Sequence, residues 1–161
     1  MESPKILLIG KNGQVGWELR RTLAPLARVL AVDYPEIDLT DAAAARRFVL
    51  DNKPNVVVNA AAYTAVDKAE SDTKTAQLIN GVAPGVLAEA AKQVGALMIH
   101  YSTDYVFDGT KQTPYVETDP PNPLGAYGRT KLHGDEAVRA AGGDHLIFRL
   151  CWVYGARGQN F

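Results

Sequence analysis

The sequence lacks the features that would place it in a membrane, on nucleic acid or in an oxidising compartment. Its N-terminal segment carries only the short apolar run Ile6–Ile9, which is too short for a signal peptide or a membrane span. A net charge of −1 provides no basic surface for nucleic acid or anionic lipid. The single cysteine, Cys151, cannot form an internal disulfide. We therefore expect a cytoplasmic protein without nucleic-acid or membrane partners.

Metal-ligand clusters are also missing from the sequence. The three histidines, His100, His133 and His145, are scattered and lack the spacing of metal ligands, so no metal site is expected. What is present is ordinary for one soluble domain: 161 residues, of which 47% are apolar and 22% are charged.

Apolar runs alternate with helical patterns five times along the chain. The predicted strands are Lys5–Ile9, Arg28–Val32, Asn55–Asn59, Ala96–Tyr101 and His145–Leu150. The predicted helices include one that presents Val15, Leu19 and Leu23 to the core, one over Ala42–Asn52, a long one with a kink near Asn80 to Pro84, and one over Tyr127–Ala141. This alternation predicts an α/β fold, a Rossmann-like doubly wound parallel sheet with helices on both faces.

A glycine-rich turn follows the first predicted strand. Gly10, Gly13 and Gly16 form the pattern G-x-x-G-x-x-G, with Gln14 and Val15 at the start of the next helix. Glycines permit a tight turn and a close approach of backbone N–H groups to a pyrophosphate, and the helix N-terminus favours negative charge. We therefore predict that these five residues bind a dinucleotide cofactor.

Asp33 follows the second strand, where a carboxylate usually takes the ribose hydroxyls of the adenosine half and disfavours an added 2′-phosphate. Lys11 or Arg28 could still meet a phosphate, so the choice between NADH and NADPH stays open. Asp38 and Leu39 are predicted to flank the adenine, with the alternative that Thr40 or Asp41 simply caps the next helix. In that alternative, Asp38 and Leu39 would have a purely structural role.

Small residues follow the third strand. We predict that Ala60, Ala61 and Ala62, with the adjoining Tyr63, lie against a flat cofactor at the carboxyl end of the sheet, where ligands bind in open α/β folds. Close helix packing would also account for the alanines.

The stretch that carries the chemistry runs from Ser102 to Lys131. Tyr127 and Lys131 are four residues apart, so both side chains lie on one face of a helix. An adjacent ammonium is expected to lower the pKa of the phenol and to make it a proton donor to a carbonyl group. Such a pair by itself is common on exposed helices. The other motifs of the chain favour the interpretation that this pair is catalytic.

Together these segments resemble the extended short-chain dehydrogenase/reductase superfamily and, within it, the dTDP-4-dehydrorhamnose reductase family. The specific matches are Gly10 to Gly16, Asn59 to Glu70, Ser102 to Gly109, Tyr127 to Lys131 and Arg149 to Phe161. The resemblance implies NAD(P)H-dependent reduction of the 4-keto group of dTDP-4-dehydro-6-deoxy-L-mannose to dTDP-L-rhamnose.

The resemblance also implies the roles of individual residues. Thr103 would bond the 4-keto oxygen, Tyr127 would protonate it, and Lys131 would hold the nicotinamide ribose. The residues implied around the sugar nucleotide are Val66, Thr103, Asp104, Tyr105, Tyr127 and Trp152. For Tyr105 and Trp152, ordinary core packing is an equal alternative.

Two other functions fit the same scaffold. An NAD-retaining nucleotide-sugar epimerase or dehydratase usually needs a further acid–base pair near the threonine, which Asp104 alone does not settle. A non-catalytic NADP-binding subunit, similar to that of methionine adenosyltransferase, would share the fold and much of the motif set.

The resemblance implies that residues 1–161 form the NAD(P)-binding domain with the catalytic threonine, tyrosine and lysine. The substrate lobe of the family would then be absent from this chain. A sheet that stops here is expected to expose an apolar edge, and a homodimer is left open as a partner.

Overall fold

The computed structural model describes residues 3–157, so residues 158–161 of the family-specific ending lie outside the described part. Five strands form one parallel sheet in the order β2-β1-β3-β4-β5. Their bounds are β1 Lys5–Ile9, β2 Arg28–Val32, β3 Val56–Asn59, β4 Leu97–Thr103 and β5 His145–Leu150. The order reverses between β1 and β3, which is where open α/β sheets form their ligand crevice. The predicted α/β fold is confirmed.

Six α-helices connect the strands. Their bounds are α1 Gln14–Leu23, α2 Ala42–Asn52, α3 Val66–Ala69, α4 Thr73–Ala76, α5 Ala83–Val94 and α6 Ala126–Ala141. A π-helix, Gln77–Val82, leads from α4 into α5, and a 3₁₀ turn, Asp104–Val106, follows β4. The π-helix lies at the predicted kink and is a wider turn that needs no break in the helix. Among the described residues no helix combines the length and apolarity that crossing a bilayer would require.

Alternation along the strands divides the core into two layers. Leu7, Ile9 and Val57 pack with α2, α5 and α6 on one face of the sheet. Ile6 and Leu8 pack on the other face with Leu19 and Leu23 of α1. Val15, predicted to face this core, instead lines the cavity described below. Val15 is the second residue of α1, directly after the glycine turn, and so lies at the cavity end of the helix.

The fourth strand is longer than predicted. Ser102 and Thr103 belong to β4, because they pair with Arg149 and Leu150 of β5 and so continue the ladder. This pairing fixes the backbone of Thr103 within the sheet, rather than in a loop that follows it.

The edge strand β5 leaves apolar side chains uncovered. Leu146 and Phe148 are 47% and 45% exposed, and Phe148 stacks on Tyr101 of β4 with ring centroids 5.8 Å apart. On this face α1 contacts β1 and β2, at the other side of the sheet from β5. The predicted apolar edge is therefore present.

Candidate active site

A cavity of about 590 Å³ opens at the carboxyl ends of the strands, and a second of about 350 Å³ adjoins it. Asp33, Ala61 and Ala62 line both cavities, so the two form one continuous crevice. The larger one contains most of the predicted site: Gly10, Gly13, Gln14, Val15, Asp33, Ala60, Ala61, Ala62, Val66, Thr103, Asp104, Tyr105, Tyr127, Lys131 and Trp152. The topology thus brings together residues that are up to 142 positions apart in the sequence, from Gly10 to Trp152.

The glycine turn is shaped by close backbone contacts. Gly10 has φ +90°, and a Cβ there would lie 2.5 Å from the Ala61 nitrogen. A Cβ on Gly16 would lie 1.9 Å from the Gly10 oxygen, so Gly16 serves the packing of α1 and does not line the cavity. Gly13 precedes α1 and gives it no side-chain cap among the described residues, and its first turn holds no acidic residue. The N-terminus of α1 therefore suits an anionic pyrophosphate.

Asp33 connects this turn to the second cavity. Its carboxylate accepts hydrogen bonds from the Asn12 nitrogen at 3.0 Å and from the Tyr34 nitrogen at 2.9 Å. Lys11 is paired with Glu36 at the same corner. Arg28 begins β2 and Asp33 follows its last residue, so the suggestion that Arg28 meets a phosphate here is wrong.

The second cavity accommodates both readings of the stretch after Asp33. Asp38 and Leu39 line it together with Ile37 and Ile79, which suits an adenine ring. The Asp38 carboxylate accepts from the Thr40 nitrogen and hydroxyl at 2.8 and 2.7 Å, which holds its pKa below the ordinary value. The cap of α2 is Asp41, which accepts from the Ala44 nitrogen at 2.9 Å.

Tyr63 lines neither cavity. Its backbone nitrogen donates to Asn80 Oδ1 at 2.8 Å, Asn80 Nδ2 donates back to its carbonyl oxygen at 3.0 Å, and its hydroxyl donates to Asp72 at 3.1 Å. Asn80 is buried in the π-helix and also donates to Thr130 of α6 at 3.2 Å. Tyr63 is thus part of the support behind the site.

Thr103 and Tyr127 both line the larger cavity, and the Thr103 hydroxyl is near enough to the phenol to lower its pKa. The Thr103 hydroxyl also donates to Asp104 Oδ1 at 3.1 Å and accepts from the Tyr105 nitrogen at 3.2 Å. The Tyr105 ring stands edge-on to Tyr127 with centroids 5.5 Å apart. These contacts fix the phenol beside the hydroxyl group.

The pKa values of the pair on α6 differ from expectation. Burial raises the pKa of Tyr127. The neighbouring Thr103 hydroxyl lowers this pKa, and Asp104 and Tyr105 add smaller raising contributions. The expectation that Lys131 lowers this pKa is therefore wrong. The Lys131 ammonium donates to the Tyr101 carbonyl oxygen at 2.7 Å, and its burial lowers its own pKa to about 8. A phenol with a raised pKa stays protonated near neutrality, which is the form that donates a proton.

Lys131 belongs to a buried polar layer at the base of the cavity that we call the polar floor: Asn59, His100, Ser102, Lys131 and Asp135. Each of these side chains belongs to a residue at most 5% exposed. Asp135 Oδ2 accepts from the Ser102 hydroxyl at 2.9 Å and lies 3.6 Å from Arg149 Nε. Asp135 follows Lys131 by four residues, and its charge opposes the lowering of the lysine pKa.

The protonation of His100 follows from its neighbours. Asn59 Oδ1 accepts from the Ala61 nitrogen at 3.2 Å, so Nδ2 is the atom that faces His100 Nδ1 at 3.3 Å. His100 Nδ1 must then accept, and the proton of the neutral ring lies on Nε2, 3.8 Å from Asp135 Oδ1. Burial lowers the pKa of His100 well below its ordinary value, which agrees with a neutral ring.

Tyr105 and Trp152, which we call the aromatic rim, line the same cavity but are 46% and 68% exposed. They are therefore not core aromatics, which was the alternative that the sequence left open. In the described range 3–157 no group of three or more His, Cys, Asp or Glu side chains could hold a metal ion.

Residues 4–161 match the family described as RmlD substrate binding domain. The chain belongs to this family. It is 60% identical over 157 residues to the dTDP-4-dehydrorhamnose reductase of Burkholderia thailandensis, covering 98% of this chain and 53% of that protein. The chain thus spans about half the length of the curated relatives it matches.

Solved structures of proteins with the same name superpose closely. That of a Clostridium acetobutylicum reductase gives a TM-score of 0.94 at 45% identity, covering 98% of this chain and 56% of the other. That of a Bacillus anthracis reductase in complex with NADP gives 0.95 at 33% identity, covering 100% and 57%. The resemblance to the dTDP-4-dehydrorhamnose reductases is confirmed.

The site of this RmlD-family domain contains residues that sequence reasoning missed. Asn12, Thr64, Tyr101 and Ser102 line the larger cavity, and Asp135 lies below it. Asp135 had one available signal, because it continues the spacing of four from Tyr127 and Lys131 on a single helix face. Polar Asn59 and His100 inside otherwise apolar strands were a second signal.

Proposed function

We propose that this domain is the cofactor-binding and catalytic half of an NAD(P)H-dependent reductase of a nucleotide-linked 4-keto sugar. The substrate would be dTDP-4-dehydro-6-deoxy-L-mannose and the product dTDP-L-rhamnose. The observation that carries the proposal is that Tyr127, Thr103 and buried Lys131 line one cavity, which also contains the glycine turn and Asp33. The names of the relatives support a reductase over the epimerase and regulatory alternatives.

The residues present fit a dinucleotide. The turn around Gly10 and the N-terminus of α1 would hold the pyrophosphate, Asp33 the ribose of the adenosine half, and Asp38 with Leu39 the adenine. Ala60 to Ala62 leave room for the flat nicotinamide half beside Lys131. The NADP complex of the Bacillus anthracis relative supports this class of cofactor, with NADPH or NADH as the reductant.

The reduced nicotinamide, when bound, supplies the hydride that the carbonyl carbon accepts. Tyr127 would donate its phenolic proton to the carbonyl oxygen, so that the ketone becomes an alcohol and the cofactor leaves oxidised. The Thr103 hydroxyl would orient the same oxygen by a hydrogen bond. Lys131, charged below about pH 8, would hold the ribose hydroxyls.

We propose that Val66, Asp104 and the aromatic rim face the sugar nucleotide, while a substrate lobe in the complete protein supplies the other wall. The exposure of Trp152 and of Phe148 on β5 supports a further part of the protein at this side. A homodimer stays a prediction.

The test is a spectrophotometric assay with dTDP-4-keto-6-deoxy-L-mannose and NADPH or NADH. It is run on this chain and on a fusion in which the second half of the Burkholderia thailandensis relative follows residue 161. We expect the fusion to consume reduced cofactor and its Tyr127→Phe variant to lose about 10²- to 10⁴-fold in kcat with cofactor affinity kept. Cofactor binding without turnover in the parent fusion would favour the regulatory alternative, and normal rates in the variant would exclude Tyr127 as the donor.

A further inference from the structure

The family-specific motif from Val66 to Glu70 ends in a carboxylate, Glu70, that the proposed chemistry does not use. Val66 begins α3 and lines the larger cavity, and Glu70 follows the last residue of that helix. Glu70 is exposed and does not line the larger cavity. Its contacts lead to another element.

The helix that carries Tyr127 and Lys131 lacks its own cap. α6 begins at Ala126 after Gly125, which has no side chain to accept a hydrogen bond, and its first turn contains no acidic residue. The first N–H groups of a helix have no partner within the helix, and they are usually satisfied by a side-chain oxygen at the N-terminus. Tyr127 is the second residue of this helix, so its position depends on how that first turn is held.

Glu70 supplies the missing acceptor from 56 positions earlier in the sequence. Its Oε1 accepts a hydrogen bond from the Ala126 nitrogen at 2.6 Å, a length typical of a charge-assisted bond. Oε2 lies 3.7 Å from Arg129 Nη2, one turn further along α6. The carboxylate therefore spans the first turn and places negative charge where the helix dipole favours it.

Gly125 makes room for this contact. A Cβ at Gly125 would lie 3.0 Å from Glu70 Oε1, closer than carbon and oxygen normally approach. The backbone of Gly125 has φ −110°, which any residue can adopt, so the reason for glycine here is space rather than conformation.

Small apolar residues pack α3, α4 and the start of α6 together beside this cap. Ala69 of α3, Ala76 of α4 and Ala126 of α6 are all buried, and the rings of Tyr63 and Tyr127 pack against them. One face of Tyr127 is thus supported by a cluster that begins beside Glu70.

We propose that Glu70 is a positioning residue that caps α6 from outside and thereby sets the location of Tyr127 relative to Thr103. The cap connects the short helix that lines the cavity to the helix that carries the phenol, so the two move as one unit. This inference rests on the proposed role of Tyr127, but its test requires neither substrate nor turnover.

The test compares three variants of the 161-residue chain by NMR. Glu70→Ala removes the acceptor, Glu70→Gln keeps an acceptor oxygen, and Glu89→Ala is the control. Glu89 is also an exposed helical carboxylate in an ion pair, 3.1 Å from Arg46, but it caps no helix in the site. Two signals are followed: hydrogen exchange of the Ala126 amide and the resonance of isotope-labelled Tyr127 Cζ, assigned with Tyr127→Phe.

We expect Glu70→Ala to accelerate exchange at Ala126 by about 2- to 30-fold, the range that corresponds to loss of a helix cap. The Tyr127 Cζ resonance should shift in the same variant. Glu70→Gln should restore both signals toward the parent, and Glu89→Ala should change neither. A second variant, Gly125→Ala, should reproduce part of the effect of Glu70→Ala, since it crowds the carboxylate while Glu70 itself remains.

Two results would overturn the proposal. Unchanged exchange at Ala126 in Glu70→Ala would show that the contact does not hold the helix end. Faster exchange with an unmoved Tyr127 resonance would show a cap that has only a structural role. Neither result bears on whether the protein reduces a keto sugar, which the turnover assay decides separately.

Discussion

The two sides of the crevice are built differently. The polar floor is enclosed by β3, β4 and α6, and its side chains bond mostly to one another. The aromatic rim presents Tyr105 and Trp152 with about half or more of their surface exposed. The floor is therefore buried, with two of its atoms, His100 Nε2 and Asp135 Oδ1, left without a hydrogen-bond partner in the part of the chain that the structure describes, whereas the rim has exposed aromatic surface.

This difference separates two kinds of constraint on the site. Buried charges are stable only when paired and hydrogen-bonded, so each member of the floor depends on the others. Replacing an exposed aromatic ring changes the free energy of unfolding little. Such a ring affects function through the ligand or partner that it contacts. We therefore expect floor substitutions to affect stability and rim substitutions to affect ligand binding.

The largest effect is expected from Asp135→Ala. It leaves Lys131, Arg149 and the Ser102 hydroxyl without their shared carboxylate in a buried place. Loss of one partner from such a buried group should lower the free energy of unfolding by about 3 kcal/mol, measured by urea denaturation. Glu136→Ala, a change at the exposed neighbouring carboxylate, is the matched control. Equal small changes in both variants would contradict a cooperative floor.

The next effect concerns the pH dependence of stability. Burial lowers the pKa of Lys131 from 10.5 to about 8. Between these values the unfolded chain binds a proton that the folded chain does not, so the contribution of Lys131 to stability rises with pH. The stability of the parent relative to Lys131→Met should therefore increase by about 2 kcal/mol from pH 7 to pH 10.

The control for this pH series is Lys74→Met, which removes an exposed lysine of α4. The pH dependence of the Lys131→Met difference is read against that of this variant. If the two stability differences changed alike with pH, the ammonium of Lys131 would not be held in a desolvated place.

The smallest effect on stability is expected from Trp152→Ala. Trp152 is 68% exposed, so its loss should change the free energy of unfolding by no more than about 0.5 kcal/mol. The same substitution in the fusion protein should raise the KM for the sugar nucleotide. A large loss of stability in this variant would show that Trp152, like the polar floor, holds the fold together. The proposed difference between the two sides of the crevice would then be wrong.

Much of the fold was predictable because local patterns agree with the final packing. β1, β2, β5 and α2 have the predicted bounds, since each is a clear apolar run or helical pattern, and Gly10 ends β1 while Pro54 follows α2. The extension of β4 over Ser102 and Thr103 was not predictable locally, because it depends on pairing with Arg149 and Leu150.

The identity of the site residues was easier to predict from the sequence than their protonation behaviour. Tyr127 and Lys131 could be named from their spacing, but the direction of the phenol pKa could not, because it is set by burial in the folded chain and Lys131 is not among the groups that shift it. The bond from Glu70 to Ala126 joins residues whose proximity only the folded chain shows.

The measurement that tests the account most directly is a titration of NADPH and NADH into the 161-residue chain, followed by cofactor fluorescence. A crevice that runs from the glycine turn to Lys131 predicts saturable, equimolar binding of at least one of the two. It also predicts that Lys131→Met weakens this binding while the domain stays folded by circular dichroism. A folded chain that binds neither cofactor would contradict the assignment of this crevice as a dinucleotide site.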